Sequence, residues 1–521
     1  MAGAFELKRR LYQYNHSMLP DCERLPTEVY SVAQVRAMDR ATIDEHGVAG
    51  YTLMQRAAAA ALRDVSLHWP GTQHLHIYCG HGNNAGDGYV LARLAQSAGI
   101  ETTVVHCAPP QALTGDAALA WRDCAAAGVA AEAFDPAATL PRQAVLVDAL
   151  FGTGLSRPLE GTFAAAVEQM TASGHPVLAL DIPSGVDADS GLVGGPAVRA
   201  QRTIGFVGLK TGYFLGVGPA HCGALGFADL EIPAAVRLQH RPCMQRLGLD
   251  AIAAALPRRA RLAHKGDCGR LLLIAGAPGM AGAARLAGEA ALRAGAGLVY
   301  VVTHRHHAAA IAGARPELIV YGVDSAAELA ALNLRCDAIA LGPGLGRTRW
   351  ADAMCRWTFA QSCPLVVDAD ALNWLSHNPA RVGQREAWIL TPHPGEAGRL
   401  LGTSAAAVQR DRRAAVAELA AKYAATVVLK GACTLVAGAE GDPATRVCLA
   451  GNPGMASAGM GDVLTGVIAG ILVQCGSVTA AADAGVLVHA LAGDTAAAAH
   501  GERGLLAGDL FEAIRAWANP S

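Results

Sequence analysis

Short runs of aliphatic and β-branched residues recur along this chain, separated by longer segments whose apolar positions fall three and four residues apart. In the first half the strand-like runs are His76–Cys79, Thr102–Cys107, Val145–Asp148 and Val177–Ile182. Helical patterns lie between them, as at Tyr89–Ala98 and Leu159–Met170. Strands alternating with helices predict right-handed βαβ units and a parallel sheet. Two helices are expected before that sheet. One is capped by Ser31 and runs toward Gly47, and the other covers Thr52–Leu67.

The pattern breaks between Leu238 and Pro257, after the strand-like Leu225–Ile232, and a linker is expected at 238–246. It restarts with Arg270–Ala275, Leu298–Thr303, Ala338–Leu341, Pro364–Asp368 and Val427–Lys430, and ends in a helical block over Gly461–Trp517. The expectation is two α/β domains, 25–237 and 247–519. The two halves are not sequence repeats of each other.

Composition narrows the class. Of 521 residues, 52% are hydrophobic, 17% charged and only 5% aromatic, so the cores must rely on Ala, Val, Leu and Ile. With 59 glycines and few polar tracts, the chain reads as a turn-rich globular enzyme. The net charge is −2 and the longest basic run is Lys8-Arg9-Arg10, which argues against a nucleic-acid partner. The 13 cysteines include no C-x-x-C pair, which argues against a zinc ribbon or redox pair and fits reduced thiols in a cytoplasm. Met1–Pro20 lacks the apolar core of a secretory signal. The longest apolar run, Val463–Val473, is too short to span a bilayer and reads as a buried helix. No membrane partner is expected, and homo-oligomerisation is left open.

Three loops in the first half leave strand ends. Gly80-His81-Gly82-Asn83-Asn84-Ala85-Gly86-Asp87-Gly88 follows a strand and opens a helix, where backbone N–H groups and the positive helix end can hold a phosphate. It matches G-x-G-x-x-A, but the acid that should end the next strand of a dinucleotide-binding dehydrogenase is absent: that strand ends in His106 and Cys107. The second loop, Asp148 to Pro158, carries two glycines, two hydroxyls and Arg157, a set suited to a diphosphate. The third is Asp181-Ile182-Pro183-Ser184-Gly185-Val186-Asp187. Such loops converge on one crevice in an open α/β sheet. Asn84, Asp148 and Ser184 offer oxygen ligands for a hard cation. Lys210 stands in a weakly charged region; a pocket Asp and Lys could serve as base and acid, whereas a solvated lysine would do neither.

Over about residues 25–235 these motifs resemble the NAD(P)H-hydrate epimerase family. The resemblance implies that Asn83, Asn84, Ala85, Gly86 and Asp87, with Gly152, Thr153, Gly154, Leu155, Ser156, Arg157 and Pro158, hold a dinucleotide. It implies K+ at Asn84, Asp148 and Ser184, and a catalytic base at Asp181 beside Lys210. The commoner family loop has Gly where this chain has Ala85.

In the second half, Gly459-Met460-Gly461-Asp462 precedes the apolar helix. Glycine amides there can form an anion hole, and Asp462 can accept a hydroxyl proton. No P-loop motif exists in the chain. Lys430-Gly431-Ala432-Cys433-Thr434 joins two strand-like runs, Gly342 to Gly346 makes a close-approach turn, Asp368 to Asn373 ends a strand, and Thr391-Pro392-His393-Pro394-Gly395-Glu396 fixes a histidine between prolines. Glu396 could join a magnesium–water network. Over about residues 247–519 the set resembles the ADP-dependent NAD(P)H-hydrate dehydratase family, a ribokinase-like branch. The resemblance implies that Ala283, Gly346, His393 and Asp462 meet the hydrated substrate. It implies that Lys430, Gly431, Ala432, Cys433, Thr434 and Gly461 meet ADP, with Mg2+, and that Asp462 is catalytic.

Together the resemblances imply repair of hydrated NADH and NADPH: interconversion of the R and S hydrates by the first domain, then ADP-dependent dehydration of the S form by the second. The fold implied is a Rossmann-like α/β/α domain followed by a ribokinase-like α/β domain. The residues alone also permit a vitamin- or sugar-type kinase fused to a dinucleotide-binding sensor. They leave ADP against ATP open.

Overall fold

The computed structural model describes residues 25–155, 157–382, 385, 387–439 and 444–519. Met1–Pro20, the Lys8–Arg10 run and the site candidate Ser156 lie outside the described residues. The chain divides into two compact units, Met1–Met244 and Gln245–Ser521. The 238–246 stretch is not plain linker: it takes in the end of a helix, Ala234–Leu238, and a strand, Met244–Arg246.

The first unit opens with strand β1 (Glu28–Tyr30) and helices α1 (Val32–Asp44) and α2 (Gly50–His68). Ser31 caps α1 in a full capping box with Gln34. There follow β2 (His74–Cys79), α3 (Asn83–Ser97), β3 (Glu101–His106), α4 (Gly115–Ala126), β4 (Ala130–Ala133), β5 (Ala144–Ala149), α5 (Gly161–Ala172), β6 (Val177–Leu180), β7 (Arg202–Phe206), β8 (Leu209–Lys210) and β9 (Ala224–Ala228). Seven of these strands form a sheet in the order β4-β3-β2-β5-β6-β7-β9, parallel throughout. The order reverses between β2 and β5, so the loops after these strands open a crevice there. β1 pairs separately with β8, setting Tyr30 beside Lys210. Apolar side chains from α1, α2, α3 and α4 cover one face of the sheet. Leu159, Val167 and Met170 pack with Tyr78 and Leu146 on the other.

In the second unit the strands are β10 (Arg270–Ile274), β11 (Leu298–His304), β12 (Ile319–Val323), β13 (Ala338–Leu341), β14 (Leu365–Val367), β15 (Trp388–Leu390), β16 (Thr426–Leu429), β17 (Leu435–Ala437) and β18 (Thr445–Val447). Their order is β12-β11-β10-β13-β14-β15-β16-β17-β18. Pairing is parallel as far as β16 and antiparallel beyond it. The helices that matter for the site are α6 (Ala281–Arg293), α7 (Pro394–Leu401), α8 (Arg412–Tyr423), α9 (Met460–Cys475) and α10 (Val478–His500). The run Val463–Val473 is buried throughout, as expected for a core helix. It packs on α6 because Gly466 and Gly470 have no side chain: a Cβ on Gly466 would stand 2.1 Å from the Ala287 carbonyl oxygen. No described helix is long and apolar enough to cross a membrane.

Candidate active sites

In the first unit the predicted loop Gly80–Gly88 is loop only as far as Gly82, and Asn83–Gly88 form the first turns of α3. Asn, Gly and Asp are poor helix formers, but packing overrides propensity. A Cβ on Gly86 would stand 2.4 Å from Met54, and one on Gly88 would stand 2.7 Å from Ala149. Helix and sheet close together only because both positions are glycine. Gly82 caps α3 with its backbone, no side chain caps it, and the first amides are left for a ligand.

Asp148, at the end of β5, is fully buried. It accepts from the Ser184 hydroxyl at 2.7 Å, from the Ser184 amide at 2.7 Å and from the Leu150 amide at 3.2 Å. Burial still pushes its carboxyl up to about 6, against the Ser184 hydrogen bonds. The Ser184 hydroxyl also accepts from the Phe151 amide at 2.9 Å. Asn84 is buried, and neither its Oδ1 nor its Nδ2 has a hydrogen-bond partner. An orphaned amide oxygen of this kind is a vacant acceptor that a cation would satisfy. Gly152 leaves room beside it: a Cβ there would lie 3.1 Å from Asp181 Oδ2 and 3.5 Å from Asn84 Oδ1. Asn84, Gly152 and Asp181 therefore share one space. Arg157 and Pro158 at the end of the loop are exposed, as are Asn83 and Gly154, while Ala85 is buried.

Asp181 follows β6 with φ +66°, an uncommon backbone for a residue with a side chain. The turn is held by the Asp181 amide donating to the Ile204 carbonyl and by the Tyr213 hydroxyl donating to the Asp181 carbonyl. Lys210 is buried completely, which rules out the solvated reading. Its Nζ donates to Asp181 Oδ1, and to the Phe206 carbonyl at 2.8 Å. Two further carboxylates share this neighbourhood. Asp87 is pushed well up by burial and by the Asp181 and Asp39 charges, against Lys210. Asp39, on α1, is pushed up to about 6 by burial and Asp181, against Lys210. Nothing in the sequence marks Asp39, because one acid on an amphipathic helix looks like any solvated face.

In the second unit the loops after β10 and β13 are tied together across the reversal of strand order. The Gly276 amide donates to the Pro343 carbonyl at 3.1 Å and the Ala277 amide to the Gly344 carbonyl at 2.7 Å. Ala283 lies in the first turn of α6 against Gly344, where a Cβ would stand 2.9 Å from the Ala283 methyl. The Gly346 amide donates to Asp370 Oδ2 at 2.8 Å. Ala283 and Gly346 thus flank one turn.

The catalytic candidates gather beside it. Lys430 Nζ lies 2.6 Å from Asp368 Oδ1 and 3.7 Å from Glu396 Oε2. Burial disfavours the ammonium, but Asp368 and Glu396 outweigh it and its pKa is raised. Asp368 also accepts from Thr391 Oγ1 at 2.7 Å and Thr465 Oγ1 at 2.8 Å. His393 caps α7 reciprocally with Glu396: its Nδ1 accepts from the Gly395 amide at 3.0 Å, and Glu396 accepts from the His393 amide at 2.8 Å. Burial and Lys430 hold the imidazole below its usual range, against the pull of Glu396.

Gly459 caps α9 at φ +88° with no side chain capping the helix. A Cβ on Gly461 would lie 3.7 Å from Lys430 Nζ. Asp462, in the same turn, is pushed up to about 6 by burial and by the Asp368 charge, against Lys430. The Lys430–Thr434 turn joins β16 to the antiparallel β17. It is fastened by the buried Arg412 of α8, which donates to the Leu429, Lys430 and Cys433 carbonyls. Nothing local in the sequence marks Arg412, or His489 of α10, whose buried imidazole is lowered to about 4 by desolvation.

Comparison with known proteins places both units. A family profile described as NAD(P)H-hydrate dehydratase matches residues 271–516, and one described as YjeF-related protein N-terminus matches residues 50–212. The chain is 43% identical to the bifunctional NAD(P)H-hydrate repair enzyme Nnr of Coxiella burnetii, over 95% of this chain and 100% of that one. It is 39% identical to the enzyme of that name from Escherichia coli, over 97% of each. Among solved structures it is similar to a ribokinase-like superfamily protein of Enterococcus faecalis (29% identity, TM-score 0.49, 54% of this chain and 96% of that one). It is also similar to an ADP/ATP-dependent NAD(P)H-hydrate dehydratase of Bacillus subtilis (31% identity, TM-score 0.47, 52% and 96%). The chain belongs to the bifunctional NAD(P)H-hydrate repair enzymes, with an epimerase-type unit followed by a dehydratase-type unit.

Proposed function

We propose that the first unit interconverts the R and S hydrates of NADH and NADPH, and that the second restores the S hydrate to the dinucleotide at the expense of ADP. Hydration leaves a hydroxyl on the carbon next to the ring nitrogen. Hydroxide is a poor leaving group and phosphate a good one. In the second unit Asp462 takes the hydroxyl proton as that oxygen attacks the terminal phosphorus. The Gly459–Gly461 amides and Lys430 stabilise the charge on the phosphoryl group. The ring-nitrogen lone pair then expels phosphate, the C–O pair leaving on oxygen, and loss of the proton on the neighbouring ring carbon to the departing phosphate or to water restores the ring double bond. Ala283, Gly346 and His393 orient the hydrate, and the Lys430-Gly431-Ala432-Cys433-Thr434 turn with Gly461 holds the nucleotide.

In the first unit Asp181 is the base and Lys210 holds its carboxylate. The residues from Asn83 to Asp87 and from Gly152 to Pro158 hold the dinucleotide. Asn84, Asp148 and Ser184 would hold K+, for which the orphaned Asn84 oxygen is the supporting observation. Bound there, K+ would supply fixed positive charge beside a diphosphate. A Mg2+ ion held by protein side chains alone does not fit the second site: Asp368 and Glu396 are already paired, and no three His, Cys, Asp or Glu among the described residues form a metal cluster. Mg2+ would instead enter on the nucleotide phosphates, as its preference for water and phosphate oxygens allows. The work is on small molecules, in the cytoplasm.

The reading of the second unit is carried by Asp462 in an uncapped helix N-terminus beside the half-buried Lys430. Its test is to add purified S hydrate with ADP, and with ATP in parallel, and to follow the near-ultraviolet absorbance of the restored nicotinamide. Absorbance returning with ADP is expected. Nucleotide consumption without that return would favour the kinase reading.

A further inference from the structure

The first site holds more acid than its assigned base requires. Lys210 is its buried cation, and the carboxylates of Asp181, Asp87 and Asp39 act on it and on one another. Three carboxylates around one ammonium cannot all stay ionised cheaply, so the cluster retains a proton that an isolated Asp would lose.

Backbone geometry ties α1 to this crevice. The β1–β8 register sets Tyr30, just before the helix, beside Lys210. The Val32 amide donates to Asp189 Oδ1 at 2.8 Å, and the Thr211 hydroxyl, next to Lys210, donates to the Asp189 carbonyl. One turn on, Arg36 donates to the Thr153 carbonyl at 2.9 Å, in the loop whose Gly152 faces Asp181 and Asn84. Asp39 is three residues beyond Arg36 and lies on the same helix face. Val35 and Met38, on the neighbouring face, are buried in the core and fix the rotation of the helix. The charges that act on Asp39 are Lys210 and Asp181. Arg237, on the short helix packed against α1, is engaged at 3.1 Å by Asp229.

We propose that Asp39 is a second acid–base residue of the epimerase site, working on the ring face opposite to Asp181. This rests on the epimerase reading of the first unit and adds the group that reading lacks. Inversion of a carbon bearing a hydroxyl beside a ring nitrogen needs a proton given on one face and taken on the other. One carboxyl gives its proton to the departing hydroxyl. The C–O bond breaks with its electron pair on oxygen, water leaves, and the nitrogen lone pair forms a C=N bond. Water then adds to the opposite face, the nitrogen lone pair is restored, and the water's proton passes to the other carboxylate. Asp39 and Asp181 exchange roles between the R-to-S and S-to-R directions, and solvent exchange resets the pair.

The experiment uses the full chain with R hydrate and no nucleotide, following R-to-S conversion chromatographically and subtracting the uncatalysed rate. Asp39→Asn is expected to lower kcat about 100-fold with KM changed less than about threefold. It should also remove the inflection near pH 6 from the wild-type profile. Asp39→Glu is expected to recover at least about tenfold of the loss. Thermal unfolding of the same variants reports that the first unit is folded, and dehydration of S hydrate with ADP reports the same for the second. Wild-type rate and profile in Asp39→Asn would overturn the proposal. So would a loss with the wild-type pH profile and no recovery in Asp39→Glu, because that pattern marks a structural role. Absence of conversion by the wild type would instead overturn the epimerase reading itself.

Discussion

Lys430 Nζ and Asp368 Oδ1 stand 2.6 Å apart, although 62 residues separate them in the chain. The contact joins the turn after β16 to the end of β14, and Thr391 and Thr465 bind the same carboxylate. Asp368 thereby holds the cation at the proposed nucleotide site. Asp368→Asn leaves Lys430 with Glu396 at 3.7 Å as its nearest remaining anion. The expected cost is about 2–4 kcal/mol of stability, at the lower side of values for a broken buried pair. Urea unfolding of the second unit measures it. The KM for nucleotide should rise at the same time.

Asp462 should control the pH dependence of dehydration. As a base it must be ionised, and burial and Asp368 have moved it up to about 6. Below that pH the carboxyl is protonated and the rate should fall about tenfold per pH unit; above it the rate should level off. Asp462→Asn should lower kcat by about 10²- to 10⁴-fold and abolish that limb. Steady-state kinetics with S hydrate between pH 5 and about 8 would show both effects.

Asn84 predicts a cation response in the first unit. Its Oδ1 is buried without a partner, so K+ should bind the folded state in preference to the unfolded one. At about 100 times its Kd the ion would add about 2.7 kcal/mol. Thermal unfolding in KCl should show a higher Tm than in tetramethylammonium chloride at equal ionic strength. Asn84→Ala should erase the difference.

Gly459 and Gly466 should tolerate alanine unequally. At Gly459 the φ of +88° is the obstacle, costing about 1–2 kcal/mol, because the atom a Cβ would meet is the movable end of Leu286. At Gly466 the obstacle is the Ala287 backbone oxygen, which cannot move without separating α6 from α9. Gly466→Ala should therefore destabilise more in chemical unfolding, while Gly459→Ala should affect nucleotide binding more.

The sequence made visible what is local. Strands with continuous aliphatic runs, such as β5 and β13, and helices with caps, such as α1, stand where the pattern puts them. The Ala130–Ala133 strand carries no apolar alternation and is exposed along its length, so nothing marked it. The glycines of Asn83–Gly88 suggest a turn, and so a loop after β2 longer than the folded one. In the folded chain they are helix glycines, kept small by Met54 and Ala149. Candidate site residues in dense Gly/Asp loops at strand ends stand out in the sequence for the same local reason. Partnerships do not: the Lys210–Asp181 and Lys430–Asp368 pairs follow from sheet order rather than from spacing.

The most direct test of two activities on one chain starts from pure R hydrate. With ADP, the wild-type protein should return the near-ultraviolet absorbance of the dinucleotide completely. Asp181→Asn should return it no faster than uncatalysed epimerisation allows, while dehydrating S hydrate at the wild-type rate. Wild-type protein that restored S hydrate but left R hydrate unchanged, or Asp181→Asn that converted R hydrate at full rate, would contradict the account.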